Sequence, residues 1–173
     1  MKMVRFCCLA VVAGLLVAPA GRGQEPVKPG PEHEMLKKLE GDYETTMKMG
    51  DVESKGTASY KMILGGMWLS STFEGEIAGQ KFSGHGLDTY DPAKKKHVMI
   101  WVDSMAPTPL IMEGTYDAGT KKLTANGEMA GPDGKMMKVT AVTEYKDADT
   151  MIFGMYPAGA KDPMFTVTYK RKK

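Results

Sequence analysis

Residues 82–108 contain the densest group of side chains in this chain that could bind a ligand or catalyse a reaction. The stretch reads FSGHGLDTYDPAKKKHVMIWVDSMAPT and includes His85, Tyr90, His97, Trp101 and Asp103. Histidine can exchange a proton near neutral pH, aspartate can anchor a polar ligand, and an indole offers a flat stacking surface. What these groups can do depends on how the surrounding strands orient them.

The turn sequence DPAKKK predicts a β-hairpin that joins two strands of this stretch. The predicted opposite pairs are Gly84 with Asp103, Gly86 with Trp101, and Tyr90 with His97. On the second strand, one face carries His97, Met99, Trp101 and Asp103, and the other carries Val98, Ile100 and Val102. Both faces hold large apolar groups, so the alternation leaves open which of them faces the interior.

Two interpretations of the Trp101 face follow. In the first, the opposing glycines leave room for a ligand, Trp101 forms a stacking wall, and Asp103 supplies one polar anchor. The further candidate ligand-binding residues in this interpretation are His97, Tyr90, His85, Tyr60 and Phe73. In the second interpretation, Trp101 packs across the glycine gap and Asp103 caps the turn at residues 104–109. This interpretation is favoured because aromatic residues in strands usually belong to the core.

Metal and cofactor chemistry has weak support in the sequence. The three histidines are His33, His85 and His97, and no two of them have the spacing of a zinc ligand pair. Haem would need one axial histidine inside a barrel, which His85 or His97 could supply, but no attachment motif is present. We predict no cofactor and no histidine-based metal site.

Methionine is unusually frequent, with 16 residues in the chain. Thioethers are soft ligands for Cu(I), so a Cu(I)-binding protein or metallochaperone that uses Met47 and Met49 is one alternative function. Both residues also alternate like core positions, and methionine commonly fills irregular cores. Packing is therefore the favoured interpretation.

Catalytic motifs are absent from the sequence. There is no Gly-x-Ser-x-Gly elbow, no phosphate-binding loop and no pair of carboxylates at a diagnostic spacing. A hydrolase or isomerase that uses His85 or His97 with Asp103 is a second alternative function. We lean towards a protein that is not an enzyme and assign no catalytic residue.

The N-terminus predicts export. Lys2 and Arg5 precede a short apolar run that ends in small residues, which is the order of a secretory signal peptide, and we place it at residues 1–20. No later run is long enough for a membrane-spanning helix, so no membrane insertion is predicted and the mature protein should be periplasmic or secreted. Removal of residues 1–20 also removes both cysteines and lowers the formal net charge from +2 to 0. A neutral chain gives no electrostatic argument for a nucleic-acid partner.

The rest of the chain predicts one all-β domain at residues 32–173, preceded by a flexible leader at residues 21–31. A short helix comes first, with Pro31 in its first turn and Gly41 as its terminator. Ten alternating runs follow, at residues 43–49, 57–64, 67–74, 81–89, 97–103, 110–116, 122–129, 136–145, 151–156 and 164–170. Hairpin-linked strands of this number hide their edges by forming a closed or nearly closed antiparallel up-and-down barrel, with a two-sheet sandwich as the alternative.

Two further turns constrain the register of the strands that they join. Gly65 and Gly66 predict a tight hairpin with Met62 opposite Leu69 and Tyr60 opposite Ser71. Around residues 131–135, a two-residue turn would place Leu123 and Ala125 opposite Glu144 and Val142, whereas a bulge or longer loop would restore the better alternation. The second pairing is left open.

Several motifs, in order along the chain, resemble the domain of unknown function 1579 family. They are Gly30-Pro31-Glu32-His33 with Leu36, Leu39 and Gly41; residues 84–91 with Trp101 and Asp103; Gly114-Thr115-Tyr116-Asp117; and Thr168-Tyr169-Lys170-Arg171. The resemblance implies a lipocalin-like fold and no established activity. The leading functional prediction is an exported barrel that binds a small hydrophobic or amphipathic molecule, while its oligomeric state is not predicted.

Overall fold

A computed structural model describes residues 28–77, 79–131 and 133–173 of the chain. The predicted signal peptide at residues 1–20 and most of the predicted leader lie outside the described residues. Helix α1 spans Pro31–Lys37. The ten strands are β1 (Gly41–Met49), β2 (Val52–Ile63), β3 (Trp68–Ile77), β4 (Gln80–Asp91), β5 (Lys96–Asp103), β6 (Ala106–Asp117), β7 (Lys122–Ala130), β8 (Met136–Tyr145), β9 (Thr150–Pro157) and β10 (Phe165–Arg171).

The strands form a closed antiparallel barrel in which each strand pairs with its neighbours in the chain. The barrel closes where β1 pairs with β10, from Tyr43 opposite Arg171 to Lys48 opposite Thr166. Closure satisfies the edge hydrogen-bonding groups that an open sheet would expose. The predicted up-and-down barrel with one short helix is therefore confirmed, and the sandwich alternative is wrong.

The predicted hairpin registers are confirmed. Met62 lies opposite Leu69 and Tyr60 opposite Ser71. The connection itself is a short 3-10 turn, in which Leu64 as well as both glycines takes a positive φ and projects into solvent. Between β7 and β8 a longer loop is formed, closed by a hydrogen bond from Gly131 N to the Lys135 carbonyl. That loop places Leu123 opposite Thr143 and Ala125 opposite Ala141, which is the alternative with the better alternation.

The two ends of the barrel differ. At the end that we call the helix end, α1 packs against β2, β3 and β4, and Leu36 is almost fully buried. The Tyr43 hydroxyl donates to the Leu39 carbonyl at 2.9 Å, and the Met62 amide donates to Glu40 Oε1 at 2.7 Å. At the opposite end, the far end, the strands are joined by the β1–β2, β3–β4, β5–β6, β7–β8 and β9–β10 connections.

Arg171 joins the closing seam to the chain that follows α1. Its guanidinium donates to the carbonyls of Lys38, at 2.8 Å, and of Glu40, and it lies 4.9 Å from the centre of the Tyr43 ring. Hydrogen bonds from a charged donor and a cation–π contact both contribute more than neutral surface contacts do. Arg171 therefore stabilises the helix end and the barrel closure together.

We expect Arg171→Gln to lower the free energy of unfolding by about 2 kcal/mol, because the shorter amide cannot reach both carbonyls and carries no charge. Lys170→Gln is the matched control, since Lys170 is the exposed neighbour on the same strand, and it should change stability by less than about 0.5 kcal/mol. Urea unfolding of the two variants measures the difference. Equal effects would contradict a role for Arg171 in closure.

Candidate functional site

The β4–β5 hairpin has the predicted register, with Gly84 opposite Asp103, Gly86 opposite Trp101 and Tyr90 opposite His97. The Trp101 face is the interior one. His97 is only 3% exposed and Trp101 packs against the core cluster that contains Tyr43 and Phe73, whereas Val102 on the other face is 45% exposed. The closed barrel therefore determines which face of β5 points to the interior, a question that the alternation of the sequence left open.

Trp101 occupies the space above the two glycines. A Cβ atom on Gly84 would lie 2.0 Å from the indole Cζ2 atom, and one on Gly86 would lie 3.3 Å from Cε3. The Trp101 Nε1–H donates to Asp103 Oδ2 at 2.9 Å, while Oδ1 accepts from the amides of Met105 and Ala106 at 2.8 and 3.0 Å. The glycines thus accommodate the indole instead of leaving free space, and Asp103 both caps the turn and orients Trp101.

The other candidate residues are distributed over two surfaces. Tyr60 and Phe73 belong to the interior. Tyr90 and His97 also point inward, near the helix end, where their ring centres lie 5.2 Å apart. His85 lies on the outer wall, 3.3 Å from the Ser70 hydroxyl, so its placement with the interior candidates is corrected. Adjacent residues of a strand point to opposite faces, and the inward Gly84 and Gly86 flank it.

The histidines and Asp103 do not form one catalytic group in this structure. His85 is on the opposite side of the wall from Asp103. Asp103 lies six positions after His97 on β5, which corresponds to about 20 Å along the strand. His97 is enclosed, its Nδ1 atom has no hydrogen-bond partner among the described residues, and burial lowers its pKa. Burial therefore favours the neutral form of this ring.

Asp88 is an interior residue that the sequence analysis did not single out. It lies on β4 between the inward Gly86 and Tyr90, opposite Leu69 on β3 and Met99 on β5. Burial raises the pKa of its carboxyl to about 7, and no described residue forms a hydrogen bond or ion pair with it. The alternation that placed Gly84, Gly86 and Tyr90 on one face would have included Asp88.

Three tyrosines surround this carboxyl from other parts of the barrel. Tyr60 on β2, Tyr145 on β8 and Tyr169 on β10 are close enough for the charge of Asp88 to raise the pKa of each hydroxyl, in addition to the larger effect of burial. For Tyr169 the pKa is about 12. The ring centres of Tyr60 and Tyr169 lie 6.1 Å apart in an edge-to-face arrangement. We call Asp88, Tyr60, Tyr145 and Tyr169 the tyrosine–carboxyl site.

Many inward-facing side chains are not fully enclosed by protein. Some, such as Tyr43, Leu69 and Met112, are almost completely buried. Others keep accessible surface although the barrel wall separates them from the outside; they are Tyr60, Asp88, Met99, Trp101, Leu110, Tyr145, Phe153 and Tyr169. Because these side chains point away from the outer wall, that surface indicates space inside the barrel. We call this interior the lumen.

Methionines form much of the wall on the β5–β10 side. Met112 and Met155 are buried there together with Ala125, Val139 and Ala141. Partly buried neighbours that pack against them are Met99, Leu110, Met129, Met137, Phe153, Met164 and Phe165. Met47 belongs to the core cluster on the other side, and Met49, two residues along β1, is 43% exposed.

Two depressions on the outer wall contain none of the candidate residues. One lies across β1, β2 and β3 and includes Thr57, Glu74 and Lys172. The second lies over β8 and β9 and includes Thr140 and Tyr156. The first is lined mainly by polar and charged side chains, and both are open to solvent, so neither is an enclosed and mainly apolar site.

Two negative observations concern the described residues alone. In residues 28–77, 79–131 and 133–173, no three His, Asp or Glu side chains are arranged to hold a metal ion. No helix in this part of the chain combines the length and apolar character needed to cross a bilayer.

The fold and the lumen together define the class of protein: a closed ten-stranded, lipocalin-like β-barrel with a short helix at one end. The chain belongs to the family described as "Protein of unknown function (DUF1579)", whose sequence profile matches residues 28–171. A search of curated protein sequences found no match. Among solved structures, a redesigned beta barrel is similar, with 17% identity, a TM-score of 0.43, and coverage of 80% of this chain and 95% of that chain.

Proposed function

We propose that this protein binds a small hydrophobic or amphipathic molecule in the lumen. The observation that carries the proposal is the set of inward side chains that keep accessible surface, with a polar group, Asp88, among apolar walls. Small-molecule sites are usually concave, mainly apolar and equipped with a few polar groups. The supporting apolar surfaces are Trp101 and the methionines on the β5–β10 side.

The methionines suit this function because of their flexibility. A thioether side chain has three rotatable bonds and adapts to differently shaped apolar ligands. In this proposal the scaffold is rigid, since hydrogen bonding closes the barrel on itself, and the adaptable part is the lining.

A fluorescent, uncharged apolar dye, N-phenyl-1-naphthylamine, tests for an accessible lumen. We expect the dye to bind the folded protein, and we expect Met99→Trp to weaken binding at least about tenfold, because a larger ring at this inward position occupies the space. Val102→Trp places the same ring on the outer wall and is the matched control. Urea unfolding of both variants verifies that they remain folded. Absence of dye binding, or equal binding by the two variants, would overturn the proposal.

Native mass spectrometry of protein purified from its own host provides a second test, which does not require a ligand to be chosen in advance. We expect an added mass that is lost on denaturation.

The mass of the denatured chain also tests export, which we propose because residues 1–20 have basic residues followed by an apolar run. Removal of those residues supports it, and an intact N-terminus would contradict it.

A further inference from the structure

We propose that the ligand is an organic cation, a protonated amine with an apolar body, whose ammonium group lies against Asp88 within the tyrosine–carboxyl site. This inference rests on the proposed function, because it names the chemical class that the lumen selects. It depends on three features of the site: its charge, its aromatic surroundings and its depth.

The first feature is an acidic group without a basic partner. No described side chain forms an ion pair with Asp88, and no neighbouring cation lowers its pKa. Asp103, the other inward carboxylate on this hairpin, already accepts three hydrogen bonds. A carboxylate that is largely removed from water and has no counter-ion is costly, and a bound ammonium group would reduce that cost by pairing with it. A carboxylate ligand would be repelled instead.

The second feature is the aromatic surroundings. Tyr60 and Tyr169 approach each other edge to face, and Tyr43 contacts both rings, with centres 5.4 and 6.3 Å away. Aromatic faces carry negative charge density and attract cations, most strongly where water is excluded. Rings of this kind next to a carboxylate favour an ammonium group over an uncharged hydroxyl.

The third feature is depth. Asp88 is eight residues from Gln80, the first residue of β4 at the far end, which places it on the order of 20 Å from the rim for a tilted strand. The path passes Trp101 and the methionines of the β5–β10 side. A ligand that reaches Asp88 therefore fits best when an apolar chain follows its charged group.

Between pH 5 and pH 8 the change of charge at Asp88 should dominate, because a lowered pKa confines protonation of His97 to the acid end of this range. The other titratable groups near Asp88 are Tyr60, Tyr90, His97, Tyr145 and Tyr169. Burial raises the pKa values of Tyr60, Tyr145 and Tyr169, which stay neutral, and it lowers the pKa of His97, which is neutral at pH 8. Binding of an amine should thus strengthen as Asp88 loses its proton.

Three compounds with the same eight-carbon chain isolate the charged group: octylamine, octanol and octanoate. By isothermal titration calorimetry at pH 8, we expect octylamine to bind at least about tenfold more tightly than octanol, and octanoate to bind most weakly. In Asp88→Asn the preference for octylamine over octanol should disappear. Glu44→Gln, the same change on the exposed outer wall of β1, should leave that preference unaltered.

A second measurement needs no variant. At pH 5 octylamine is still protonated while Asp88 holds its proton, so the wild-type preference for the amine should fall about tenfold from its value at pH 8. If the dye binds the lumen but the amine shows no preference over octanol, or Asp88→Asn preserves that preference, the inference of a cationic ligand is overturned while the proposed function stands. Failure of the dye and of all three compounds overturns both.

Discussion

Asp88→Asn is expected to stabilise the ligand-free protein at pH 8 by up to about 4 kcal/mol and to have little effect at pH 4. The reason is the rise in the pKa of this carboxyl from 3.8 to about 7 on burial, at about 1.4 kcal/mol for each pKa unit. Below about pH 4 the group is protonated in both the folded and the unfolded chain. Between pH 4 and pH 7 only the unfolded chain releases the proton, so stability falls as pH rises and then levels off.

Urea unfolding of both proteins between pH 4.5 and pH 8.5 measures this effect as a difference in free energy of unfolding. The lowered pKa of His97 also makes stability depend on pH. Both proteins contain His97, so its contribution cancels in the difference between them. Glu44→Gln, on the exposed outer wall, should show a difference that hardly varies with pH. A difference for Asp88→Asn that is equally independent of pH would refute the burial of an unpaired carboxyl.

The same linkage connects stability to ligand binding. A cation bound beside Asp88 lowers the pKa of the carboxyl and stabilises the native state by mass action. Octylamine should therefore raise the free energy of unfolding of the wild-type protein more at pH 8 than at pH 5. Asp88→Asn should lose this dependence on pH.

The second large effect is expected at Gly84 and Trp101. Gly84→Ala should cost about 2 to 3 kcal/mol, because its Cβ atom would lie 2.0 Å from the indole and force Trp101 to move. Trp101→Ala should cost about 3 kcal/mol through lost packing. The double variant should be about as stable as Trp101→Ala alone, because the methyl group then has space, giving a coupling energy of about 2 kcal/mol.

Gly114→Ala is the control for this cycle. Its Cβ atom would lie 2.3 Å from the backbone carbonyl oxygen of Thr124, so its cost does not depend on Trp101. Combined with Trp101→Ala, its effect should be additive. Chemical unfolding of the single and double variants gives each energy, and additivity for Gly84 as well would show that the indole does not rest on that glycine.

The β4–β5 hairpin shows how far local sequence determines this fold. Its turn and its alternation predicted the pairs Gly84 with Asp103 and Tyr90 with His97, and these pairs are formed. Register is a local property, since it depends on turn length and on a side-chain period of two. The ten strands were predicted on the same basis and the family was predicted from motifs along the chain; both predictions are confirmed.

The orientation of the Trp101 face needed the closed barrel. Both faces of β5 are apolar, so neither could be assigned to the interior from the strand alone. Closure of the sheet gives only one face access to the core that contains Tyr43 and Phe73. His85 was grouped with the interior candidates although alternation places it on the face opposite Gly84 and Gly86, and it lies on the outer wall.

The sequence by itself determined the strands, the registers of the β2–β3 and β4–β5 hairpins and the short helix, because each depends on neighbouring residues and on alternation along one strand, and its motifs identified the family. Only the tertiary structure assembled the tyrosine–carboxyl site. Tyr60, Asp88, Tyr145 and Tyr169 come from four strands and meet because the barrel turns β2, β4, β8 and β10 towards one interior. Burial inside that closed wall also raises the pKa of Asp88, since desolvation depends on everything that surrounds a group and not on its neighbours in the chain.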